Sequence, residues 1–441
     1  MHLGIDIGTS KVAAVIVSQS GQIIAASSVP SHADTERGAT RSEQRVTAIL
    51  DAVDRAVLAL PSSSREEVTA IGLTGQMHGV VCMSGNDFSP LITWEDGRCA
   101  PEEFSNYLMS KNITGLKTGF GCATLAWFAK NDPLFLNRYA SAGTIQDLLA
   151  ALLVGSSRMI TDPSDAASWG CFLLKERKWD VDALHALSIP ITLMPEIKGG
   201  GCALGQLTAA RAGQWGMSPS VTVCNPIGDN QASVYATLQN PSEEMGITLG
   251  TGGQLSIVVD GFPNSSELCT GAEIRPFIGD QYLIVAASLC GGSAMRWLAE
   301  SIASFCEKIT GSPPDVSSIY PLLDSEGLSL FPGALTVGTS FRGERFDLSR
   351  RGVISGLSMD NFTIGELACG IARGTVTTLM DMFPRQLLQG RKRVVASGNG
   401  VRKLALVRKA IEHEFQLPLV LAEDREEAAY GAARIAGLST T

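Results

Sequence analysis

No run of eighteen apolar residues occurs in the 441-residue chain, so a membrane-spanning helix of ordinary length is excluded. The longest candidate, LLAALLVG at 148–155, has the length of a core helix. The N-terminus lacks a basic stretch followed by an apolar one, so no secretory signal is expected. Ten cysteines are scattered without a C-x-x-C pair and without histidine at ligand spacing. Buried thiols of a cytoplasmic protein are the expectation, and a zinc site is not. Basic residues are not in excess, 35 against 44 acids, which argues against a nucleic-acid surface. The one dense basic run, Arg391, Lys392 and Arg393, reads as a solvated turn. The length exceeds what one compact core serves, so two domains are expected.

What the sequence does have is a repeated turn. LGIDIGTSKV stands at 3–12 and MGITLGTGGQ at 245–254, each placing Gly-Thr after a short apolar strand. A glycine turn lets the backbone approach a ligand and aim successive N–H groups at one point, an arrangement that holds phosphate oxygens. The hydroxyls of Thr9, Ser10 and Thr251 add donors. Either turn alone is more simply a hairpin tip. Two copies opening two domains suit a clamp on a polyphosphate. They differ at one position: Asp6 in the first copy answers to neutral Thr248 in the second. One acid suffices to hold one Mg²⁺, and a second would repel the nucleotide.

The surrounding pattern is α/β. LGIDI, VAAVIVS and QIIAASSV read as three strands, followed by a helix and a strand at 68–74. Thr40 with Glu43 forms a capping-box pattern for that helix, and Val46, Ile49, Leu50, Val53, Val57 and Leu58 give its apolar face. In the second half, hairpin strands follow Gly246, a strand is expected at 281–288, helices at 293–309 and 363–388, and a strand at RVVASG. A small-residue helix closes the chain, with Asp424 and Glu427 suited to its start. The boundary is expected in LQNPSEE, giving domains of 1–240 and 241–441.

These motifs resemble the sugar-kinase, actin and heat-shock-chaperone superfamily of duplicated, ribonuclease H-like domains with an interlobe cleft. Within it, TGQMHGVV at 74–81 and WEDGR at 94–98 are similar to the FGGY carbohydrate kinases. LITWEDGRC, TGFGCAT at 118–124, AGTIQD, DAASWGCF at 165–172, GDNQASVYA and VAASLCGG resemble the sedoheptulokinase branch of that family. The resemblance implies a two-lobed enzyme, with a sugar-binding lobe over 1–240 and a nucleotide-binding lobe over 241–441. It implies Asp229 as catalytic base and Asp6, with Asp229, as the acids at the magnesium. It implies Gln76, Met77, His78, Trp94, Asp96, Arg98, Asp229 and Asn230 as sugar contacts. Thr9, Ser10, Lys11, Gly250, Thr251, Gly252, Gly398, Asn399, Gly400 and Lys403 are the implied ATP contacts. The family commonly places a base where Ala13 stands, with Lys11 two residues earlier, and an alanine or second glycine where Asn399-Gly400 stands.

A ketose pocket needs dense donors and acceptors, because desolvated hydroxyls are costly unless partnered. GQMHG and WEDGR supply amide, imidazole, indole, carboxylate and guanidinium groups. Asp229 after Gly228 opens a helix pattern, so it can cap that helix and still serve as a base, being ionised at neutral pH. The FRGER cluster at 341–345 reads equally as a solvated loop or a cleft loop, and Gly431 as a close approach to nucleotide or sheet. The expected function is Mg²⁺-dependent transfer from ATP to sedoheptulose, giving sedoheptulose 7-phosphate. Xylulose or another ketose is the alternative, and a sugar or nucleotide sensor without catalysis the remote one. No nucleic acid or membrane partner is expected, the protein being a cytoplasmic monomer or homodimer.

Overall fold

The computed structural model describes the whole chain apart from residue 39 and segments 264–270, 424–425 and 439–441. The expected helix-start acid Asp424 therefore lies outside the described residues. The chain divides into two compact units. The first comprises 1–236, 276–280 and 424–441, the second 237–275 and 281–423.

In the first unit, β1 (His2–Ile7) and β2 (Lys11–Val17) form the expected hairpin, and β3 (Ile23–Pro30) extends it antiparallel. Helix α1 (Val46–Leu58) buries Val46, Ile49, Val53 and Val57, while Leu58 at its end is exposed. The capping box is not formed. Ser42–Gln44 is a short strand paired with Leu91–Ile92, so Glu43 is extended, and Arg45 holds the N-cap without a side-chain bond. Strand β4 (Ala70–Gly75) lies parallel to β1.

Beyond it, α2 (Gly121–Asn131) enters a subsidiary aromatic core, α3 (Ile145–Val154) packs into the main core of the unit, and α4 (Pro163–Ser168) joins the aromatic core through Ala166. α3 is bounded as its sequence demands: Thr144 and Asp147 form a capping box, and Gly155 ends the helix in the left-handed region. Strands β5 (Ala203–Gln206) and β6 (Thr222–Cys224) complete the sheet order β5-β6-β4-β1-β2-β3. The two-residue strand β7 (Ile227–Gly228) pairs with the end of β4 and leads into α5 (Asp229–Thr237).

The second unit repeats the frame. Strands β8 (Glu244–Leu249), β9 (Gly253–Asp260), β10 (Ala272–Pro276) and β11 (Gln281–Ser288) precede helices α6 (Gly292–Thr310), α7 (Val316–Leu330) and α8 (Ile364–Met380). Strand β12 (Arg393–Ser397), helix α9 (Ala405–Phe415) and β13 (Leu419–Leu421) follow, in the sheet order β10-β11-β9-β8-β12-β13. The single helix expected over 363–388 is interrupted: α8 stops at Met380, and a separate turn Arg385–Leu388 begins after Pro384. Proline disfavours helical backbone in the residue before it and has no N–H to donate. The basic run is not a solvated turn either. Arg391 donates to the carbonyls of Glu244 and Val258, Arg393 bonds the buried Glu244 carboxylate, and only Lys392 is exposed.

The closing helix α10 (Glu427–Leu438) packs on β1, β2 and β4 of the first unit, so the spatial division does not follow chain order. Its small residues permit this. A Cβ on Gly4 would lie 1.8 Å from the Ala429 carbonyl oxygen, and one on Gly431 would lie 2.0 Å from that of Ala232 in α5. The helix packs against sheet, one of the two uses expected of Gly431, and Gly431 itself serves a close approach to α5. Among the described residues no helix is long and apolar enough to cross a membrane.

Candidate active site

Two acids meet at the end of the first sheet. Asp6 is set by the β1 register, where it faces Ala13 across the hairpin and Thr74 on the parallel side. Asp229 is delivered by β7. The Thr74 hydroxyl donates to the Ile227 carbonyl at 2.7 Å, and the Gly228 N–H donates to the Ser164 hydroxyl at 3.0 Å. Gly228 has no room for a side chain, since its Cβ would lie 2.7 Å from the Met77 sulfur. Asp229 is the first residue of α5, and its Oδ1 accepts the Asn230 N–H at 2.7 Å.

Asp6 is half-buried as a residue, but its Oδ1 is sealed from solvent with no hydrogen-bond donor. Burial first, then the charges of Asp229 and Glu426, push its pKa up to about 7, against a smaller opposing effect of Lys11. A donor-free carboxylate oxygen beside a second carboxylate calls for a positive charge, so these residues fit Mg²⁺. That ion commonly takes only one or two protein carboxylates and completes its shell with water and phosphate oxygens. Among the described residues no cluster of three His, Cys, Asp or Glu ligands occurs. Lys11 reaches sideways: its Nζ donates to both oxygens of Glu426 at 2.7 and 2.8 Å. Glu426 had no sequence signal, because 415 residues separate it from its partner.

The sugar-motif residues gather around the first turn. Gln76 donates through its N–H to the Ile7 carbonyl and through Nε2 to Gln44. Gln44 in turn donates to the Thr9 carbonyl at 2.7 Å. The Trp94 indole donates to the Thr9 hydroxyl at 3.1 Å while staying 47% exposed, so a broad aromatic face is open to solvent. Ser10 is exposed at the turn, and Met77 is buried against Gly228. Asp96 and Arg98 pair with each other. Asp96 Oδ1 accepts the Arg98 N–H and Nε, and Oδ2 accepts the Ser42 N–H and Arg98 Nη2. Those four bonds fill the acceptor capacity of a carboxylate. Arg98 also bonds Glu43 at 2.6 Å and lies over the Phe128 ring.

His78 takes positive φ (70°), unusual for a side chain with a Cβ. Its ring stacks on Phe120, with centroids 4.8 Å apart and planes 17° apart. Ser168 binds it twice, at the backbone N–H and at Nδ1. Phe120, Ser168, Gln44 and Glu426 are partners that no sequence spacing revealed. Behind Asp229, three buried acids cluster. Burial raises Asp147 to about 7 and Asp162 to about 6, and lifts Asp165 well above its usual range with help from Asp162, Asp147 and Asp229.

The second unit carries its own cavity of about 640 Å³, within the range of small-molecule sites. Gly250 and Thr251 of the second turn line it, as do Asn399, Gly400 and Lys403. Tyr320 also lines it, unannounced by any motif. Gly252 and Gly398 shape the wall rather than line it. Gly398 has φ of 93°, and its Cβ would lie 2.5 Å from the Leu249 carbonyl oxygen. The start of α6 closes on the turn, with Gly291 N–H donating to Thr251 and Gly292 N–H to Gly250. Of FRGER, Glu344 is fully buried and accepts from Ser288 and Ser340, whereas Arg342 and Arg345 are exposed. The loop is pinned by its acid rather than wholly solvated.

Comparison with known proteins agrees with this arrangement. The family model for the N-terminal domain of the FGGY family of carbohydrate kinases matches residues 1–236. The chain is 31% identical to the sedoheptulokinase of Mus musculus over 465 residues, covering 98% of this chain and 96% of that one. It is 28% identical to the xylulose kinase of Escherichia coli (strain K12) over 314 residues, covering 68% and 63%. The crystal structure of a xyloylose kinase from Brucella ovis superposes with a TM-score of 0.81 at 26% identity, covering 99% of this chain and 90% of that one. With two ribonuclease H-like units and these matches, the chain belongs to the FGGY family of carbohydrate kinases, phosphotransferases that act on sugars.

Proposed function

We propose that the protein transfers the terminal phosphoryl group of ATP to the primary hydroxyl of a ketose, with sedoheptulose as substrate and sedoheptulose 7-phosphate as product. The observation that carries the reaction is the donor-free Asp6 beside Asp229 in the first unit. The substrate rests on likeness to a sedoheptulokinase along nearly the whole chain.

In this reading the first unit takes the sugar and the second takes the nucleotide. Asp229 accepts the hydroxyl proton as the oxygen–phosphorus bond forms, while the bond to the β-phosphate oxygen breaks and ADP leaves. Asp6, with Asp229 beside it, would hold Mg²⁺. When bound, that ion neutralises charge on the phosphates. Asn230, the neighbour of Asp229, and Gln76, Met77, His78 and Trp94 orient the ketose. Asp96 and Arg98, saturated by each other, brace the Trp94 loop. In the first unit Thr9 and Ser10 offer donors to phosphate oxygens, with Lys11 supplying charge. In the second unit Gly250, Thr251 and Gly252 offer donors to phosphate oxygens, and Asn399, Gly400 and Lys403 border the base and ribose, with Gly398 supporting them. The nine described cysteines are all free, in keeping with a reducing cytoplasm.

The test is ADP release from purified protein with ATP and Mg²⁺ across a panel of ketoses, comparing kcat/KM. A clear preference for sedoheptulose supports the full reading. Preference for a five-carbon ketose, the second reading favoured by the xylulose-kinase likeness, retains Asp6 and Asp229 and discards the substrate. Absence of sugar-dependent turnover in folded, ATP-binding protein discards the enzyme reading in favour of a sensor.

A further inference from the structure

Two of the segments that resemble the sedoheptulokinase branch, 118–124 and 165–172, converge on one side chain, His78. Ser168, the last residue of α4, donates its hydroxyl to the Asp165 carbonyl at 2.7 Å and accepts the His78 backbone N–H at 3.1 Å. The carbonyl of Ser168 lies 2.6 Å from His78 Nδ1. A carbonyl only accepts, so Nδ1 carries the proton, and in the neutral ring Nε2 is the acceptor. The ring's plane is fixed by Phe120, which stacks on it nearly parallel.

Phe120 is itself wedged. Gly119 has φ of 82°, and a Cβ there would lie 2.2 Å from the Trp94 carbonyl oxygen. A Cβ on Gly121 would lie 2.4 Å from the Trp169 ring. Trp169 donates its indole N–H to the Gly79 carbonyl, beside His78, and its carbonyl accepts the Cys122 N–H. Thr118 ties the same segment to the Asp96 carbonyl. The strained His78 backbone is thus held from both sides, and close packing leaves these contacts little room to shift.

We infer that Phe120 and Ser168 are positioning residues for substrate choice: they fix His78 in one ring orientation and one tautomer, with Nε2 as a hydrogen-bond acceptor. This rests on the ketose-kinase reading. An Nε2 acceptor selects a ligand that offers a hydroxyl donor at that point, and loss of the lock costs sugar binding rather than the chemical step. Phe120 acts through His78, so its removal matters only while the imidazole is present.

The test combines ¹⁵N-histidine NMR of the free protein with steady-state kinetics of Phe120→Leu, Ser168→Ala, His78→Gln and the Phe120→Leu/His78→Gln double variant. His78→Gln assigns the His78 signals by their disappearance. The expected wild-type spectrum shows His78 as the Nδ1–H tautomer; Phe120→Leu, which frees the ring to turn from the Ser168 carbonyl, moves it toward an averaged signal, whereas Ser168→Ala keeps that carbonyl and so keeps the tautomer. Phe120→Leu is expected to raise the ketose KM about two- to tenfold, the range for losing an aromatic pair. The ATP KM and kcat should stay within about twofold, the pattern of lost uniform binding. In the His78→Gln background the same substitution should add little. An Nε2–H tautomer in the wild type overturns the inference, as does an equal Phe120→Leu penalty in both backgrounds. If no ketose is phosphorylated, the proposed function fails by the kinetic arm, and the spectra still decide the lock.

Discussion

Replacing Asp6 by asparagine should stabilise the metal-free protein above neutral pH, although it removes an acid placed at the centre of the site. Asp6 holds its proton up to about 7 when folded, against 3.8 in an unstructured chain, because burial and then Asp229 and Glu426 disfavour its charge. An acid raised in this way contributes stability in full below 3.8 and loses that contribution as pH climbs through about 7. At about 1.36 kcal/mol per pH unit, the gap would reach about 4 kcal/mol if the whole group were dry. Asp6 is half-buried as a residue, so solvent screening brings the expected effect to about 1–2 kcal/mol. Urea unfolding followed by tryptophan fluorescence is the assay, at pH 5 and pH 8 with chelator present. Five of the six tryptophans lie in the first unit, so the signal reports mainly the unit that holds Asp6. Asp147, Asp162 and Asp165 shift in the same direction but are shared by both proteins, so they cancel in the difference. The gain of Asp6→Asn over wild type should be about 1–2 kcal/mol larger at pH 8 than at pH 5. Millimolar Mg²⁺ at pH 8 should then raise the wild type and leave the variant unmoved, since a ligand of the native state stabilises by mass action. An equal difference at both pH values would refute the argument that burial, with Asp229 and Glu426, holds Asp6 protonated.

Asp229→Asn should fold normally and bind ketose by calorimetry, yet lose at least about 10²-fold in kcat, the lower range for general-base loss. Turnover near wild type removes the base assignment. Gly431→Ala should lower the melting temperature and kcat together, because its Cβ falls 2.0 Å from the Ala232 carbonyl in the helix that begins at Asp229. Overpacking of this kind costs about 1–3 kcal/mol or more, and an unchanged melting curve contradicts the close approach. Tyr320→Ala should raise the KM for ATP about two- to tenfold and leave the ketose KM alone, as expected for an aromatic wall of the second unit's cavity. A change in ketose KM instead would reverse the assignment of that cavity.

The strands of the sheets were legible because both hairpins alternate or bury continuously, and the turns between them are marked by glycine. The site was legible in its motifs and illegible in its partners. Gln76, His78, Trp94 and Asp229 stand in recognisable segments, but the residues that orient them come from elsewhere. Ser168 lies 90 residues from His78, and Glu426 lies 415 from Lys11. Spacing along a chain carries no information about such pairs until the sheet registers are known. The two errors in helix boundaries have local causes. Thr40 and Glu43 have the spacing of a capping box, yet the strand pairing of Ser42–Gln44 with 91–92 takes the same backbone, and Gln44 is drawn to Gln76 and Thr9. Pro384 was a visible stop inside the tract read as one long helix.

The repeated Gly-Thr turn can now be read as one frame with two chemistries. In both units the strand before the turn is antiparallel to its hairpin partner and parallel to a second strand. The registers make Asp6 and Thr248 equivalent, and Thr74 and Ser397 likewise. In the second unit the pair closes on itself, with the Thr248 and Ser397 hydroxyls 2.9 Å apart, leaving a neutral strand end beside the cavity. In the first unit Thr74 turns to the Ile227 carbonyl instead, fixing the strand that delivers Asp229, and Asp6 keeps an unmet oxygen. Directly across the hairpin from Asp6 stands Ala13, buried, and two residues earlier on the same face stands Lys11. A base at position 13 would lie against Asp6 and neutralise it. With alanine there, the nearby positive charge comes from Lys11, which is held by Glu426 and lowers the Asp6 pKa only in part. The duplicated fold therefore accounts for where the turns are. The acid at the first turn, with no base directly across from it, is what lets the proposed cation fit there, whereas Thr248 at the equivalent position carries no charge.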